Sequence, residues 1–163
     1  MITITKTTDY NAVRKIAEQT WPKTYGHILS PQQIDYMFAM MYSIDALKEQ
    51  ADSKGHHFIL AEEDGKPLGF ASYEFNYKGE PKTKIHKIYI LPETQGKGIG
   101  KKLLDYIVEK AKENENTILS LNVNRYNSAY EFYVKIGFEK KGEEDINIGN
   151  GYLMEDYIME KQL

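Results

Sequence analysis

The run Gln95-Gly96-Lys97-Gly98-Ile99-Gly100-Lys101 lies between an apolar stretch ending at Leu91 and a long helical stripe. That stripe is Ile99, Leu103, Leu104, Ile107, Val108 and Ala111, at the three- and four-residue spacing of one helix face. Ile118 to Val123 then reads as a buried strand. A strand, a helical crossover and a second strand make a parallel pair, because a parallel return needs a crossover of that length. Upstream, Phe58-Ile59-Leu60-Ala61 and the run from Leu68 to Phe75 flank Asp64-Gly65, a hairpin signal that makes those strands antiparallel. A second turn near Lys78-Gly79-Glu80-Pro81 leads into Ile85 to Leu91. Downstream, Ala129, Phe132, Tyr133 and Ile136 form another helical face, stopped by Gly137. A strand begins at Phe138, and Tyr152 to Met159 reads as the last. Antiparallel strands joined to one helical crossover predict an α/β (α+β) mixed sheet with helices on both faces.

The N-terminal third adds helices. Met1-Ile2-Thr3-Ile4-Thr5-Lys6 alternates like a strand and lacks the apolar run of a signal peptide. Thr8 or Asp9 caps a helix with Val13, Ile16, Ala17 and Trp21 on one face. Ser30-Pro31-Gln32-Gln33 is a helix start: a serine cap, a proline in the first turn, and Gln33 to complete a capping box. Ile34, Met37, Phe38 and Met41 line that helix, and Ser43 caps another carrying Ile44, Leu47 and Ala51. No repeat or linker interrupts the chain, so residues 1–163 read as one domain. The apolar share of 41% and charged share of 28% are the balance of a globular protein. A net charge of −3 gives no global argument for nucleic acid or an anionic membrane as partner. The absence of cysteine excludes disulfides and thiolate metal sites, and no apolar stretch approaches the roughly 20 residues that span a bilayer. The expectation is a cytoplasmic protein.

Chemically, the glycine run is a pyrophosphate cradle. Glycines admit close backbone approach, the amides at a helix start point outward as donors, and Lys97, Lys101 and Lys102 add positive charge. It is not a Walker loop, because the glycine-to-lysine spacing differs and no Ser/Thr follows to hold magnesium. It is not a dinucleotide loop either, since the next strand ends in Asn122 and Asn124 rather than an acid.

The stretch Ile88-Tyr89-Ile90-Leu91-Pro92-Glu93-Thr94-Gln95-Gly96-Lys97-Gly98-Ile99-Gly100-Lys101 resembles the acetyl-CoA signature of Gcn5-related N-acetyltransferases, with Gln95, Gly98 and Gly100 in its three fixed places. Leu121-Asn122-Val123-Asn124 and Asn127-Ser128-Ala129-Tyr130-Glu131-Phe132-Tyr133-Val134-Lys135-Ile136-Gly137-Phe138 are similar to the family's second signature, in the right order and spacing. The resemblance implies a mostly antiparallel sheet in which the parallel strands containing Ile90 and Leu121 splay apart around coenzyme A. It implies that backbone groups of Ile88 and Ile90 hold the pantetheine and the thioester oxygen. Gln95, Gly96, Lys97, Gly98, Ile99, Gly100 and Lys101 would then hold the pyrophosphate, with Asn122, Asn127 and Lys135 as further coenzyme contacts. Tyr133 becomes the general acid that protonates the departing thiolate, although a tyrosine at helical spacing from Ala129 also fits a core. Asn127 also suits a helix cap, and Lys135 a solvated surface.

The acceptor is an amine, which must lose a proton to attack. His86 and Glu74 lie on strands bordering the implied cleft, and the residues do not choose between them as base. His56 and His57 are adjacent, point to opposite faces of a strand and cannot chelate together, and no metal-ligand spacing is visible. The segment Trp21-Pro22-Lys23-Thr24-Tyr25-Gly26-His27-Ile28-Leu29-Ser30 through Met37 looks like the matching stretch of bacterial PaiA-type polyamine N-acetyltransferases, which act on spermidine and spermine. Tyr25, Tyr36 and Tyr42, with Asp35, Glu62 and Glu74, are the aromatics and acids that could attract a cationic amine. A protein or peptide amine, such as a ribosomal protein N-terminus, is the alternative acceptor, and a non-catalytic acyl-CoA-binding module the alternative class. The family often forms homodimers, and the residues leave that state open here.

Overall fold

The structure, a computed structural model, describes residues 1–163. In chain order the elements are β1 (Ile2–Lys6), α1 (Tyr10–Tyr25), α2 (Pro31–Tyr42), α3 (Ile44–Ser53), β2 (His57–Glu63), β3 (Lys66–Glu74) and β4 (Lys82–Ile90). There follow α4 (Ile99–Glu113), β5 (Ile118–Asn124), α5 (Ala129–Lys135), β6 (Glu139–Gly149) and β7 (Tyr152–Gln162). The strands form one sheet in the order β1-β2-β3-β4-β5-β7-β6. Only β4 and β5 run parallel, joined by α4 as the crossover.

Local chemistry sets the element boundaries. Asp9 accepts from the Ala12 amide, Ser30 from Gln33 and Ser43 from Ala46, each at 3.1 Å. Such caps contribute about 1 kcal/mol each. The capping box expected at Ser30 is only half formed. Gln33 turns its side chain outward and donates to the Leu153 carbonyl at 3.0 Å, tying α2 to β7. Asp64 and Gly65 both take positive φ (51° and 75°), the geometry that a two-residue hairpin demands. Asn150 and Gly151 repeat it (55° and 79°) at the tip of the long β6–β7 hairpin.

The two sheet faces bury separate clusters. On one, Trp21, Tyr42 and Leu47 of α1–α3 cover Phe58, Leu60 and Phe70. On the other, Leu103 and Ile107 of α4 and Tyr133 of α5 pack on Ile59, Ala71 and Leu121. The alternation of Phe58 and Leu60 with Ile59 and Ala61 is the period-two pattern of a strand buried on both sides. Two expected helix faces are shallower than their spacing predicts. Only Met37 and Tyr42 of α2 are fully buried, while Ile34, Phe38 and Met41 sit partly exposed at the margin of the cluster. On α5 only Tyr133 is buried, and Phe132 is 44% exposed.

The feature that positions the site is a fork. β4 and β5 pair from Lys82↔Ile118 to Ile85↔Leu121, and there the ladder stops. Beyond it β4 stays on β3 through Ile90↔Gly69, and β5 stays on β7 through Asn124↔Asp156. A bulge sits at the branch point: Ser72 pairs with Lys87 and Tyr73 with Ile85, leaving His86 between them. Bulges bend and twist a strand locally, which here swings the C-terminal half of β4 away from β5. No helix is long and apolar enough to cross a membrane.

Candidate active site

A cavity of about 950 Å³ fills the fork. Its walls are the parted strands, Ile85 to Ile90 and Leu121 to Asn124. The glycine loop with Asn127, Phe132 and Tyr133 lines one part of it; Thr20, Lys23, Thr24, Tyr25 and His27 at the end of α1 line another. The channel therefore joins the two regions that the sequence separates into coenzyme and acceptor segments.

In the glycine loop, Gly96 and Gly98 have φ of 92° and 74°, and a Cβ added to either would meet nothing within 4 Å. Only glycine adopts that backbone at little cost, and the space above it is open for a ligand. Gly98 precedes α4 with no side-chain cap, so the first-turn amides of α4 remain free donors for an anion. Gln95, Gly96, Gly98, Ile99, Gly100 and Lys101 line the cavity. Lys97 does not; its Nζ lies 3.5 Å from Glu63. Lys101 is exposed and 2.8 Å from Asp105 one turn on. Lys135 is exposed and outside the cavity wall, where a solvated lysine is its simplest reading.

Tyr133 is 9% exposed, on the wall, edge-on to the rings of Phe132 and Phe138. Burial pushes its phenol pKa well above the usual tyrosine value, so the hydroxyl keeps its proton. Asn127 does two things: it lines the cavity, and its Oδ1 accepts from the Ala129 amide at 2.9 Å to start α5. Ile88, Ile90 and Asn122 also line the cavity.

At the α1 end Tyr25 lies on the wall, its hydroxyl 3.0 Å from that of Tyr89. Tyr36 is elsewhere. It donates to the Ile148 carbonyl at 2.9 Å and packs on Tyr152, fastening α2 to the β6–β7 hairpin. Tyr42 is sealed in the helical core. None of Asp35, Glu62 and Glu74 lines the cavity. His86 does, and Glu74 stands behind it with Oε1 2.9 Å from His86 Nε2. The ring of His56 stacks on that of His86 at 3.9 Å and reaches the same carboxylate at 3.7 Å. Burial above all, and then the charges of His56, Lys87, Lys84 and Lys54, push His86 far below the ordinary imidazole value despite Glu74.

The ligand atoms of His56, Glu74 and His86 lie within 4.8 Å of one another, a grouping that the spacing along the chain conceals because three separate segments supply it. His57 points the other way, onto Tyr73 and Phe75. Two imidazoles stacked at 10° cannot both direct an in-plane lone pair at one ion, and nearby lysines oppose a cation. Burial and the neighbouring lysines disfavour any added positive charge at the cluster, a proton included. The sequence reading also missed Tyr89 and Asn124, both on the wall. Their faces follow from the fork and the β5–β7 register, which no local signal gives.

A forked parallel pair, with a glycine loop on a helix start at one end and a tyrosine inside, defines an acyl-CoA-type transferase scaffold. Residues 10–138 match the acetyltransferase (GNAT) family, and the chain belongs to that family. An uncharacterised N-acetyltransferase of Methanocaldococcus jannaschii is 36% identical over 89 residues, covering 52% of this chain and 39% of that protein. The spermidine N(1)-acetyltransferase of Thermoplasma acidophilum is 28% identical over 159 residues, covering 94% of this chain and 91% of that one. The crystal structure of the PaiA N-acetyltransferase from Thermoplasma acidophilum in complex with coenzyme A superposes with a TM-score of 0.82 at 28% identity, covering 100% of this chain and 99% of that one.

Proposed function

We propose that this chain transfers the acetyl group of acetyl-CoA to a small primary amine of the polyamine class, by direct attack in a ternary complex. The observation that carries the reading is the continuous cavity from the Gly96–Gly98 loop, past Tyr133, to Tyr25. Acetyl-CoA supplies the acyl group activated as a thioester. Gly96, Gly98 and the first amides of α4 hold its pyrophosphate. The backbone of Ile88 and Ile90, on the parted edge of β4, holds the pantetheine and donates to the carbonyl oxygen as negative charge develops there. Tyr133 gives its proton to the departing sulfur; a phenol that burial keeps protonated suits that role.

The amine must also lose its proton. His86 is the imidazole on the parted edge of β4, neutral and backed by Glu74. Its low basicity is offset in part because the burial and lysine charges that act on it also lower the basicity of an ammonium bound beside it. The polyamine class rests on the T. acidophilum spermidine acetyltransferase, similar over nearly the whole chain. Thiol release from acetyl-CoA tests the reading, with spermidine, spermine and basic N-terminal peptides as acceptors. A higher kcat/KM for spermidine is expected. A clear peptide preference would reassign the acceptor to a protein amine, and no thiol release with any amine would leave an acyl-CoA-binding module.

A further inference from the structure

Glu144 on β6 and Asp156 on β7 stand directly opposite one another in the antiparallel ladder. Like charges so placed repel. Asp156 is 6% exposed; its Oδ2 accepts from Nδ2 of Asn122 at 3.3 Å, and its Oδ1 is buried with no partner at all. A buried carboxylate oxygen without a donor is costly, and its neighbours do not relieve it. Lys84 lies near both carboxylates but gives its Nζ to Asn122 Oδ1. Arg125 turns to Asp145 at 2.5 Å and Glu143 at 3.8 Å, and Lys82 pairs with Glu160 at 2.5 Å. Lys84 and, more weakly, Arg125 are the cations acting on Asp156, and each is already committed to another partner, while burial raises the Asp156 pKa.

Neither residue is itself cavity wall; Asp156 lies one strand behind it, and Glu144 on the next. Asp156 is the ladder partner of Asn124, and Asn122 and Asn124 are both cavity wall. Tyr25, on the opposite wall, feels the charge of Asp156. One strand spacing, about 4.8 Å, separates β7 from β5. We propose that Glu144 and Asp156 form a subsite for a second ammonium, which holds an internal or distal nitrogen of a polyamine while its terminal amine reaches into the fork. The proposal rests on the polyamine reading above and deepens it. Glu144 is the half-buried, accessible member of the pair; a charged N–H donor to its carboxylate is among the stronger hydrogen bonds a ligand can make, and a monoamine held in the fork cannot make it.

The test compares spermidine with n-butylamine, which presents one amine and no second charge. For wild type, Glu144→Gln and Asp156→Asn, kcat/KM is measured for both. The ratio of spermidine to butylamine should fall about tenfold or more in each variant, mainly through the KM for spermidine. A ratio equal to wild type in both variants overturns the subsite while leaving the polyamine reading intact. A wild-type enzyme that acetylates butylamine but not spermidine overturns both. Glu144→Lys gives a readout independent of activity: a tethered ammonium against Asp156 should raise the thermal midpoint and abolish the midpoint gain that added spermidine gives wild type. A lower midpoint, with the spermidine gain retained, would show that the pair has no need of a cation.

Discussion

A Cβ placed on Gly100 would stand 3.0 Å from Cδ1 of Ile90, so the first turn of α4 lies against the end of β4 at a distance only glycine allows without displacement. Gly98, two residues earlier, faces open space. The two glycines of one motif thus serve different ends, packing at Gly100 and ligand approach at Gly98. Gly100→Val should cost about 1–3 kcal/mol by overpacking and should push Ile90 into the channel. Gly98→Ala should cost about 1–2 kcal/mol from its left-handed backbone, but its larger effect should be on acetyl-CoA affinity. Thermal melting with and without coenzyme A separates them. The Gly98 variant should lose most of the ligand-induced gain. Retention of the full gain there would remove the loop from the coenzyme site.

Asn116 gives a prediction about the fold itself. It is 3% exposed and uses its whole side chain. Oδ1 accepts from the Asn76 amide at 3.1 Å and the Thr83 hydroxyl at 2.8 Å, while Nδ2 donates to Asn76 Oδ1 at 2.8 Å and the Asn114 carbonyl at 3.1 Å. It fastens the start of β4 and the turn before it to the end of α4. Asn116→Ala leaves several of these groups buried and unpaired, so urea unfolding should show a loss of roughly 2–4 kcal/mol. A loss under about 0.5 kcal/mol would mean that water replaces the side chain.

The extent to which the sequence was legible follows the range of the forces involved. Asp9, Ser30 and Ser43 mark helix starts because a cap is a bond across three residues, and Asp64-Gly65 marks a turn because positive φ is a local demand. By the same logic Asn150-Gly151 was readable as a hairpin tip and joins β6 to β7 as one. What was not readable depends on register between distant segments. The expected capping box at Ser30 lost Gln33 to Leu153, 120 residues away. Tyr36 and Glu74 suit a cationic acceptor by residue type, yet one anchors a hairpin and the other backs a histidine. The grouping of His56 with His86 requires β2, β3 and β4 to be aligned first.

That histidine cluster makes stability fall in mild acid. Burial, with nearby positive charge, lowers His56 to about 4 and His86 further still, whereas an unfolded histidine titrates near about 6.5. Below that value the unfolded chain binds protons that the folded chain refuses. The stability contribution is therefore full above about pH 6.5 and is lost progressively as pH falls towards about 4. The thermal midpoint should drop between pH 7 and pH 5, and His56→Gln should flatten that drop. A midpoint with the same pH slope in the variant would show that other groups set the acid limb.

Tyr133 carries the most direct chemical prediction. Tyr133→Phe keeps the ring against Phe132 and Phe138 and removes only the proton. Fold and acetyl-CoA affinity should barely change, because the lost interaction belongs to the transition state. General-acid catalysis typically contributes about 10²–10⁴-fold, so kcat should fall by an amount in that range. A free tyrosine titrates near about 10, but burial raises this phenol well above that. Deprotonation of Tyr133 should then not shape the rate profile below about pH 10, and an alkaline limb seen there would belong to another group and persist in the variant. Slow product release could mask the chemical defect in steady state, so single-turnover acetyl transfer at saturating amine is the measurement that decides. A Tyr133→Phe enzyme with the wild-type single-turnover rate would assign this tyrosine to the core alone.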